Sequence, residues 1–352
     1  MTEMVSPLLE VRDLKVWYPV RQGVLARVVD HVRAVDGVSL SLGGGETLGI
    51  VGESGCGKST LARTILRLEK PREGSILLRG QDVLNLRGKN LQAYRRSIQV
   101  VFQDPGASLN PRHTVVDLLT EAMLVHGLVD RDQRRAMAAQ LLAEVGLPSD
   151  ILDRYPHAFS GGQRQRLCIA RALALKPQIL ICDEAVSALD LSVRAQVLNL
   201  LEELKAKHQL SYIFITHDIG VVQHLADRLA VMYLGKIVES GPAQSVLNAP
   251  AHPYTQLLLR AVPKIGVPLA EDLSLFEKSG SACNPGCGFV SRCPWAQAHC
   301  RRQAPCLTKV AGAEEHLCAC FLNASTLAHA GEALAVESKV SREQALAPEV
   351  TE

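Results

Sequence analysis

Apolar and polar residues follow distinct patterns in successive parts of this chain. From about residue 8 to residue 100, short runs alternate apolar and polar positions, and glycine turns separate these runs. This alternation is typical of short strands joined by turns. From about 112 to 175, apolar residues recur at helical spacing, as at Val115, Leu118 and Leu119. The first half of the chain therefore predicts strands followed by a helical region.

Strands return after residue 175. Residues 178–182 and 212–216 are compact apolar runs that predict buried strands, whereas 193–207 and 221–226 have the spacing of helices. Alternation of strand and helix is typical of a parallel sheet covered by helices. The sequence therefore predicts an α/β fold whose parallel-sheet core is interrupted by a helical insertion.

Composition narrows the possible functions. The chain has 352 residues, 47% of them hydrophobic, which is enough for two domains or one large domain with additions. A net charge of +2 and an aromatic content of 4% argue against a dedicated nucleic-acid binder. Residues 1–10 contain no apolar stretch, and no run of about 18 apolar residues occurs anywhere. We therefore expect a cytoplasmic protein with no secretory signal and no membrane span of its own.

A glycine-rich stretch from Gly52 to Ser59 reads G-E-S-G-C-G-K-S and fits G-x-x-x-x-G-K-[ST] at every fixed position. It follows the apolar run 47–51 and precedes a helical pattern over 60–68. Glycines let backbone N–H groups turn inward around phosphates, and the helix start adds its positive dipole end. Lys58 suits the terminal phosphates and the Ser59 hydroxyl suits Mg²⁺. A purely structural turn would leave Lys58 unexplained, so this stretch predicts a nucleotide site.

Two carboxylates, Asp183 and Glu184, directly follow the apolar residues 179–182. In a parallel sheet this position lies at the carboxyl edge, where the glycine-rich loop also lies. Asp183 would hold Mg²⁺, usually through water, and Glu184 could polarise an attacking water. A simple strand cap is the alternative, and the glycine-rich loop in the same chain favours the chemical role.

Further polar residues stand where the predicted elements change. Ser160-Gly161-Gly162-Gln163 opens a helix predicted over 164–175, with Ser160 as its N-cap and two glycines that leave the helix start open to an anion. An ordinary capped helix is the alternative. Gln103 lies between core strand and helical insertion and could sense Mg²⁺. His217 follows the strand 212–216 and could contact the terminal phosphate, although a polar strand cap would look the same.

These residues, in this order, resemble the nucleotide-binding subunits of ABC transporters over about residues 8–325. The resemblance implies a P-loop ATPase core of ABC type with an antiparallel β subdomain and a helical subdomain. It makes Glu184 the catalytic base, His217 the switch histidine and Gln103 the Q-loop residue. It also implies Mg²⁺ contacts from Ser59, Gln103 and Asp183. Tyr18 corresponds best to the aromatic residue that stacks on adenine, and Trp17 is the weaker candidate.

The same resemblance extends the nucleotide site over several motifs. Residues 52–59 correspond to Walker A, 160–163 to the ABC signature and 187–190 to the D-loop. The ATP-binding residues that it implies are Tyr18, Gly52, Glu53, Ser54, Gly55, Cys56, Gly57, Lys58, Ser59, Thr60, Ser160, Gly161, Gly162, Gln163 and Asp190.

The resemblance is closest to the ATPases of bacterial dipeptide and oligopeptide importers, most of all to the dipeptide-type second ATPase. It depends on residues 33–39, 108–112, 193–199, 232–235 and 252–255. Phe159 and Ala185 depart from the usual Leu and Pro, and neither handles phosphate. The family implies a head-to-tail ATPase dimer, two permease subunits and a solute-binding protein at the cytoplasmic face of the inner membrane. An importer of nickel, glutathione or another solute and a soluble ABC ATPase are the alternatives.

Seven of the ten cysteines lie between Cys283 and Cys320. In a cytoplasmic protein such a cluster indicates metal rather than disulfides. Residues 286–294 read G-C-G-F-V-S-R-C-P and resemble the C-terminal extension of peptide-importer ATPases, which implies a [4Fe–4S] cluster on Cys287, Cys293, Cys300 and Cys320. Zinc and reduced thiols remain alternatives, and Cys318 rivals Cys320 as the fourth ligand.

The expected domain organisation follows from these motifs. We expect a nucleotide-binding domain over 8–255 with its helical subdomain at about 104–175. A small Cys-rich C-terminal extension follows over 256–325, and we expect residues 326–352 to be a disordered tail.

Overall fold

The structure is a computed structural model that describes residues 6–23, 26–261, 285–313 and 315–322. The chain divides into two compact units, Met1–Ile237 and Val238–Glu352, here called the N-terminal and C-terminal units. Cys283 and the expected tail over 326–352 lie outside the described residues. The domain boundaries expected from the sequence stay a prediction.

The N-terminal unit contains strands that form two sheets. In chain order they are β1 (Leu9–Gln22), β2 (Arg27–Leu42), β3 (Thr47–Val51), β4 (Glu73–Leu78), β5 (Gln81–Asp82), β6 (Ile98–Val101), β7 (Ile179–Asp183), β8 (Ser211–Thr216) and β9 (Arg228–Tyr233). An antiparallel sheet has the order β2-β1-β4-β5, and a parallel sheet has the order β9-β3-β8-β7-β6. The parallel sheet and the antiparallel subdomain agree with the predicted fold class.

Helices connect and cover these strands. They are α1 (Lys58–Ile65), α2 (Gly88–Ser97), α3 (Pro105–Ser108), α4 (Val115–Val125), α5 (Arg134–Glu144), α6 (Gly161–Leu173), α7 (Leu191–His208) and α8 (Ile219–Leu225). Strands β3, β7 and β8 are buried along their whole length. Continuous burial of this kind explains why these strands read as unbroken apolar runs instead of alternating ones.

The helical insertion lies between β6 and β7. A capping box starts α4, in which Thr114 and Asp117 each accept the other's backbone N–H. Asp117 also pairs with Arg134 at 2.6 Å, and the Arg134 Nε donates to the Thr120 hydroxyl at 2.8 Å. These contacts join α4 to the start of α5. Both helices also pack against α6.

The C-terminal unit contains β10 (Lys236–Pro242) from Val238 onward, α9 (Ala243–Asn248), α10 (Pro253–Arg260), β11 (Thr308–Lys309) and β12 (Leu317–Cys318). The short strand β12 pairs antiparallel with both β10 and β11. Among the described residues of the whole chain, no helix combines the length and the apolar character that spanning a membrane requires.

Candidate active site

The carboxyl edge of the parallel sheet gathers several of the predicted residues. Val51, the last residue of β3, pairs with Thr216 at the end of β8, and Asp183 at the end of β7 pairs with Ile215. The glycine-rich loop, Glu184 and His217 therefore begin where three neighbouring strands end. Such an edge is where open α/β sheets bind their ligands.

The glycine-rich loop ends at Gly57, which is the N-cap of α1. Gly57 has a φ of +109°, and a Cβ there would collide with the carbonyl oxygen of Ala34. The position requires glycine, both for its backbone conformation and for this close approach. No side chain caps α1. Its first backbone N–H groups therefore remain available to an anion.

Lys58 and Ser59 start α1 and already have partners within the site. The Lys58 side chain is almost fully buried and donates to the carbonyl oxygens of Gly52 at 2.7 Å and Glu53 at 2.9 Å. Its ammonium group is thus held inside the curl of the loop. The Ser59 hydroxyl donates to Oδ1 of Asp183 at 3.0 Å. This hydrogen bond joins two of the three residues that the resemblance assigns to Mg²⁺.

Asp183 is only 6% exposed. Burial raises the pKa of its carboxyl group, and the hydrogen bond from Ser59 acts in the opposite direction. The neighbouring negative charge of Glu184 raises the pKa further, and Arg63 and Lys58 lower it. A carboxylate in this environment is under-solvated, which favours binding of a cation.

Glu184 and His217 lie next to each other at the edge. Glu184 has a φ of +50°, its backbone N–H donates to the carbonyl oxygen of Ile215 at 2.9 Å, and its Oε1 lies 3.3 Å from Nδ1 of His217. Its side chain is 14% exposed whereas that of His217 is 54% exposed. A sheltered carboxylate beside an accessible imidazole is an arrangement that can take up and pass on a proton.

The signature stretch begins α6. The Ser160 hydroxyl accepts the backbone N–H of Gln163 at 3.3 Å, and the Gln163 side-chain oxygen accepts the N–H of Ser160 at 3.1 Å. The helix therefore begins three residues before its predicted start at 164, because this capping box nucleates it. Ser160, Gly161 and Gln163 are exposed, so this helix start faces outward.

Two predicted residues stand apart from the central pair of acids. Gln103 is exposed two residues beyond β6, and Asp190 is the N-cap of α7 without a side-chain capping bond. Within the described part of the chain, no hydrogen bond joins either residue to Ser59, Asp183 or Glu184. Their roles in nucleotide and Mg²⁺ binding stay predictions.

The two candidates for adenine stacking differ in their surroundings. The Trp17 ring lies 4.8 Å from the Arg33 guanidinium and 4.4 Å from that of Arg72, and its Nε1 donates to Asp36 at 3.3 Å. This ring already serves structural contacts. Tyr18 is 37% exposed. The free surface of Tyr18 supports its choice over Trp17.

The residues that hold the glycine-rich loop from behind are not predicted by the sequence. Gly235 donates its N–H to Cys56 at 2.9 Å and accepts the N–H of Asp36 at 2.8 Å. Together with Ala34, these residues lock the loop through backbone groups. Both stretches, 33–39 and 232–235, contribute to the resemblance to peptide importers. Neither carries a side chain whose chemistry would have pointed to this role.

Four of the predicted metal ligands line one void in the C-terminal unit. Cys287, Cys293, Cys300 and Cys320 line a small cavity of about 20 Å³ together with apolar side chains and the ring of His252. Burial raises the pKa of Cys293 to about 12 and also raises that of Cys287 and Cys320. Backbone N–H groups oppose this effect at all three thiols. The rival ligand Cys318 is buried in β12 and does not line this void.

The four cysteines share the lining of one void in the C-terminal unit. Over the described ranges of the chain, no three histidine, cysteine, aspartate or glutamate side chains are placed to hold one metal ion. Whether these cysteines bind a [4Fe–4S] cluster or zinc stays a prediction.

Comparisons with known proteins agree with the geometry of the N-terminal unit. Residues 35–187 match the ABC transporter family, and residues 238–300 match the oligopeptide/dipeptide transporter C-terminal region. The chain is 50% identical over 321 residues to the oligopeptide transport ATP-binding protein AppF of Bacillus subtilis, which covers 90% of this chain and 97% of that relative.

A second relative and a solved structure support the same family. The dipeptide transport ATP-binding protein DppF of Escherichia coli is 47% identical over 319 residues, which is 90% of this chain and 94% of DppF. The solved dimer of the ATP-binding cassette MJ0796, bound to ADP and Pi, aligns with a TM-score of 0.59 and 28% identity over 67% of this chain and 98% of that one. The chain therefore belongs to the ABC transporter family, among the ATP-hydrolysing subunits of the oligopeptide and dipeptide transporters.

Proposed function

We propose that this ATPase powers the import of dipeptides or oligopeptides across the bacterial inner membrane. The observation that carries the proposal is the carboxyl edge of the parallel sheet. There the Ser59–Asp183 hydrogen bond and the Glu184–His217 contact lie beside the glycine-rich loop. The relatives AppF and DppF, an oligopeptide and a dipeptide transport ATP-binding protein, support this substrate class.

Each predicted residue of the nucleotide site has one role in binding or hydrolysing ATP. Lys58 and the N–H groups of residues 52–60 bind the phosphates, Tyr18 stacks on adenine, and Ser59, Asp183 and Gln103 hold Mg²⁺. Bound Mg²⁺ would neutralise charge on the phosphate oxygens. Glu184 orients the attacking water and accepts its proton, and His217 contacts the terminal phosphate.

The proposal includes a second ATPase chain arranged head to tail with this one. The exposed helix start at Ser160–Gln163 carries two glycines whose backbone can approach an anion, and its capping box holds it in place. Facing the ATP of a partner, it would add donors that one chain alone does not supply, together with Asp190. The solved MJ0796 cassette is a dimer bound to ADP and Pi, which supports the pairing of two such chains.

The remaining partners follow from the same family. We propose two transmembrane permease subunits, a paralogous second ATPase and, indirectly, a periplasmic or lipid-anchored solute-binding protein. The chain would then act as a peripheral subunit on the cytoplasmic face of the membrane, with no nucleic-acid partner.

The C-terminal unit would hold a [4Fe–4S] cluster on Cys287, Cys293, Cys300 and Cys320. A polynuclear cluster is larger than one ion, so its four thiolates surround a volume rather than meet at a point. All four cysteines line one void, which supports this ligand set, and the absence of Cys318 from that lining supports Cys320 as the fourth ligand. Bound there, the cluster would supply a cross-link between distant segments and a one-electron redox centre.

A pull-down of the tagged, detergent-solubilised complex tests the function. We expect two polytopic permease subunits and a second ATPase to co-purify, and we expect iron and acid-labile sulfide in the same preparation. Recovery with ribosomes or DNA and no membrane protein would contradict the transport function. Stoichiometric zinc without iron would contradict the cluster and leave the transport function standing.

A further inference from the structure

The stretch His252-Pro253-Tyr254-Thr255 has no task in ATP hydrolysis, yet it is deeply buried in the C-terminal unit. His252 is 2% exposed and is the N-cap of α10. Its Nδ1 accepts the backbone N–H of Tyr254 at 3.1 Å. The imidazole thus replaces the hydroxyl or carboxylate that more often caps a helix.

This cap fixes the chemical form of the ring. A ring nitrogen that accepts a hydrogen bond carries a lone pair and no proton, so the ring is neutral. The single proton of a neutral imidazole then lies on Nε2. His252 therefore presents one N–H donor, on the side of the ring opposite the cap.

The same ring lines the void that the four cysteines surround. Its centroid lies 5.8 Å from that of Phe289, which stands between Cys287 and Cys293 in the sequence. Among the described residues, no hydrogen bond joins Nε2 to an oxygen, a nitrogen or a cysteine sulfur. Apart from the cysteines the lining is apolar, so a sulfur of a bound cluster is the chemically suitable acceptor.

A buried network holds this part of the backbone in place. Glu239, fully buried, accepts the N–H of Ala251 at 2.7 Å and the N–H of His252 at 3.0 Å. Its Oε1 also lies 2.6 Å from Nε2 of His316. Because the carboxylate fixes the two peptide groups that lead into α10, the imidazole is held toward the cysteines.

We propose that His252 is a positioning residue that donates a hydrogen bond from Nε2 to a sulfur of the metal group in the cysteine-lined void. This hydrogen bond tunes the reduction potential of that group. The inference rests on the [4Fe–4S] cluster proposed above. Hydrogen bonds to the sulfurs of a cluster stabilise its more negative, reduced state. The His252 donor should accordingly make the cluster easier to reduce.

His252→Asn separates donation from capping, because asparagine is a good N-cap but is too short to replace the Nε2 donor. The measurement is the reduction potential of the cluster in the purified complex, followed by EPR. We expect a more negative potential, on the order of a tenfold change in the reduction equilibrium, about 59 mV for one electron. Iron and sulfide content and ATPase activity should stay at the wild-type level.

Two further variants complete the test. His252→Ala removes cap and donor together, so it should show the same potential shift with a lower melting temperature. His224→Asn makes the same chemical change on the exposed surface of α8 and should leave the potential unchanged. Iron and sulfide in the wild-type complex are measured first, and their absence would overturn cluster and inference together. A full cluster with an unchanged potential in His252→Asn would overturn the role of His252 alone.

Discussion

Nδ1 of His217 lies 3.3 Å from Oε1 of Glu184, across the ends of two neighbouring strands. The contact depends on the left-handed backbone of Glu184, which continues the β7–β8 ladder by one hydrogen bond, to Ile215. A non-glycine residue in this conformation costs about 1–3 kcal/mol, and such residues cluster at functional sites. The position of the Glu184 carboxylate at the edge of the sheet therefore requires a strained backbone conformation.

Glu184→Gln should retain ATP binding and lose turnover. The amide has nearly the shape of the carboxylate but cannot accept the proton of the attacking water, and general-base catalysis contributes about 10²–10⁴-fold. The measurement is phosphate release by the purified complex, together with binding of a fluorescent ATP analogue. Glu203→Gln on the exposed part of α7 is the matched control and should hydrolyse ATP normally. Near-normal hydrolysis by Glu184→Gln would rule out the base.

Asp183→Asn should stabilise the nucleotide-free protein while it abolishes Mg²⁺-dependent hydrolysis. Burial raises the pKa of Asp183 above its ordinary value of 3.8, so the folded protein binds this proton more tightly than the unfolded chain does. Stability is then lost as the pH rises from about that value through the raised pKa, and the cost persists at neutral pH. The amide removes the cost, and its oxygen can still accept the Ser59 hydroxyl.

The check is a melting curve of each protein without nucleotide from pH 4 to pH 8. Each kcal/mol regained corresponds to roughly 2–4 °C for a domain of this size. The difference between variant and wild type should grow with pH and level off once Asp183 is fully ionised. A lower melting temperature for Asp183→Asn at pH 8 would show that the carboxylate stabilises the apo site instead.

Tyr18→Ala should weaken ATP binding without unfolding the protein. Stacking of a base on an aromatic ring contributes about 1–3 kcal/mol, which corresponds to roughly 5- to 150-fold in affinity. Tyr18 is partly exposed, so its removal leaves no large cavity. The measurement is the KM for ATP. Val20→Ala, which shortens another exposed side chain of β1, is the control and should leave KM unchanged.

Trp17→Leu should lower the stability of the protein and leave its affinity for ATP unchanged, which is the opposite of Tyr18→Ala. Its ring carries two guanidinium contacts and a hydrogen bond to Asp36. Loss of these contacts should lower the melting temperature and leave the KM for ATP near the wild-type value. A large increase in KM for Trp17→Leu, with none for Tyr18→Ala, would exchange the two assignments.

The sequence was most informative where a single physical pattern dominates. The strands predicted over 178–182 and 212–216 lie within one residue of the observed β7 and β8, because both faces of these strands are buried and their sequences are mainly apolar. Strands β1 and β2, of 14 and 16 residues, were predicted only as short strands. Several register shifts interrupt their pairing, as between Val16 and Trp17, and each shift breaks the alternation on which the prediction depended.

The same contrast holds for the candidate site, where some residues could be predicted from the sequence and others could not. The acids after β7 could be placed beside the glycine-rich loop because parallel strands end at one edge. The supports of that loop, Ala34 and Gly235, act through backbone atoms and carry no diagnostic side chain. The left-handed conformation of Glu184 could not be predicted either, since glutamate rarely adopts it.

Gly57→Ala tests whether the backbone of the loop, rather than its side chains alone, makes the site. Alanine would have to adopt a φ of +109° and place its Cβ against the carbonyl oxygen of Ala34, so β2 or the loop must move. A strained conformation of this kind costs on the order of 1–3 kcal/mol. We expect a lower melting temperature and a loss of ATP binding, measured on the same preparation. Gly44→Ala is the control, because no atom lies within 4 Å of its new Cβ and its φ is not positive. Equal effects of the two substitutions would mean that the collision with Ala34 is relieved without cost, and that the β2 contact does not shape the loop.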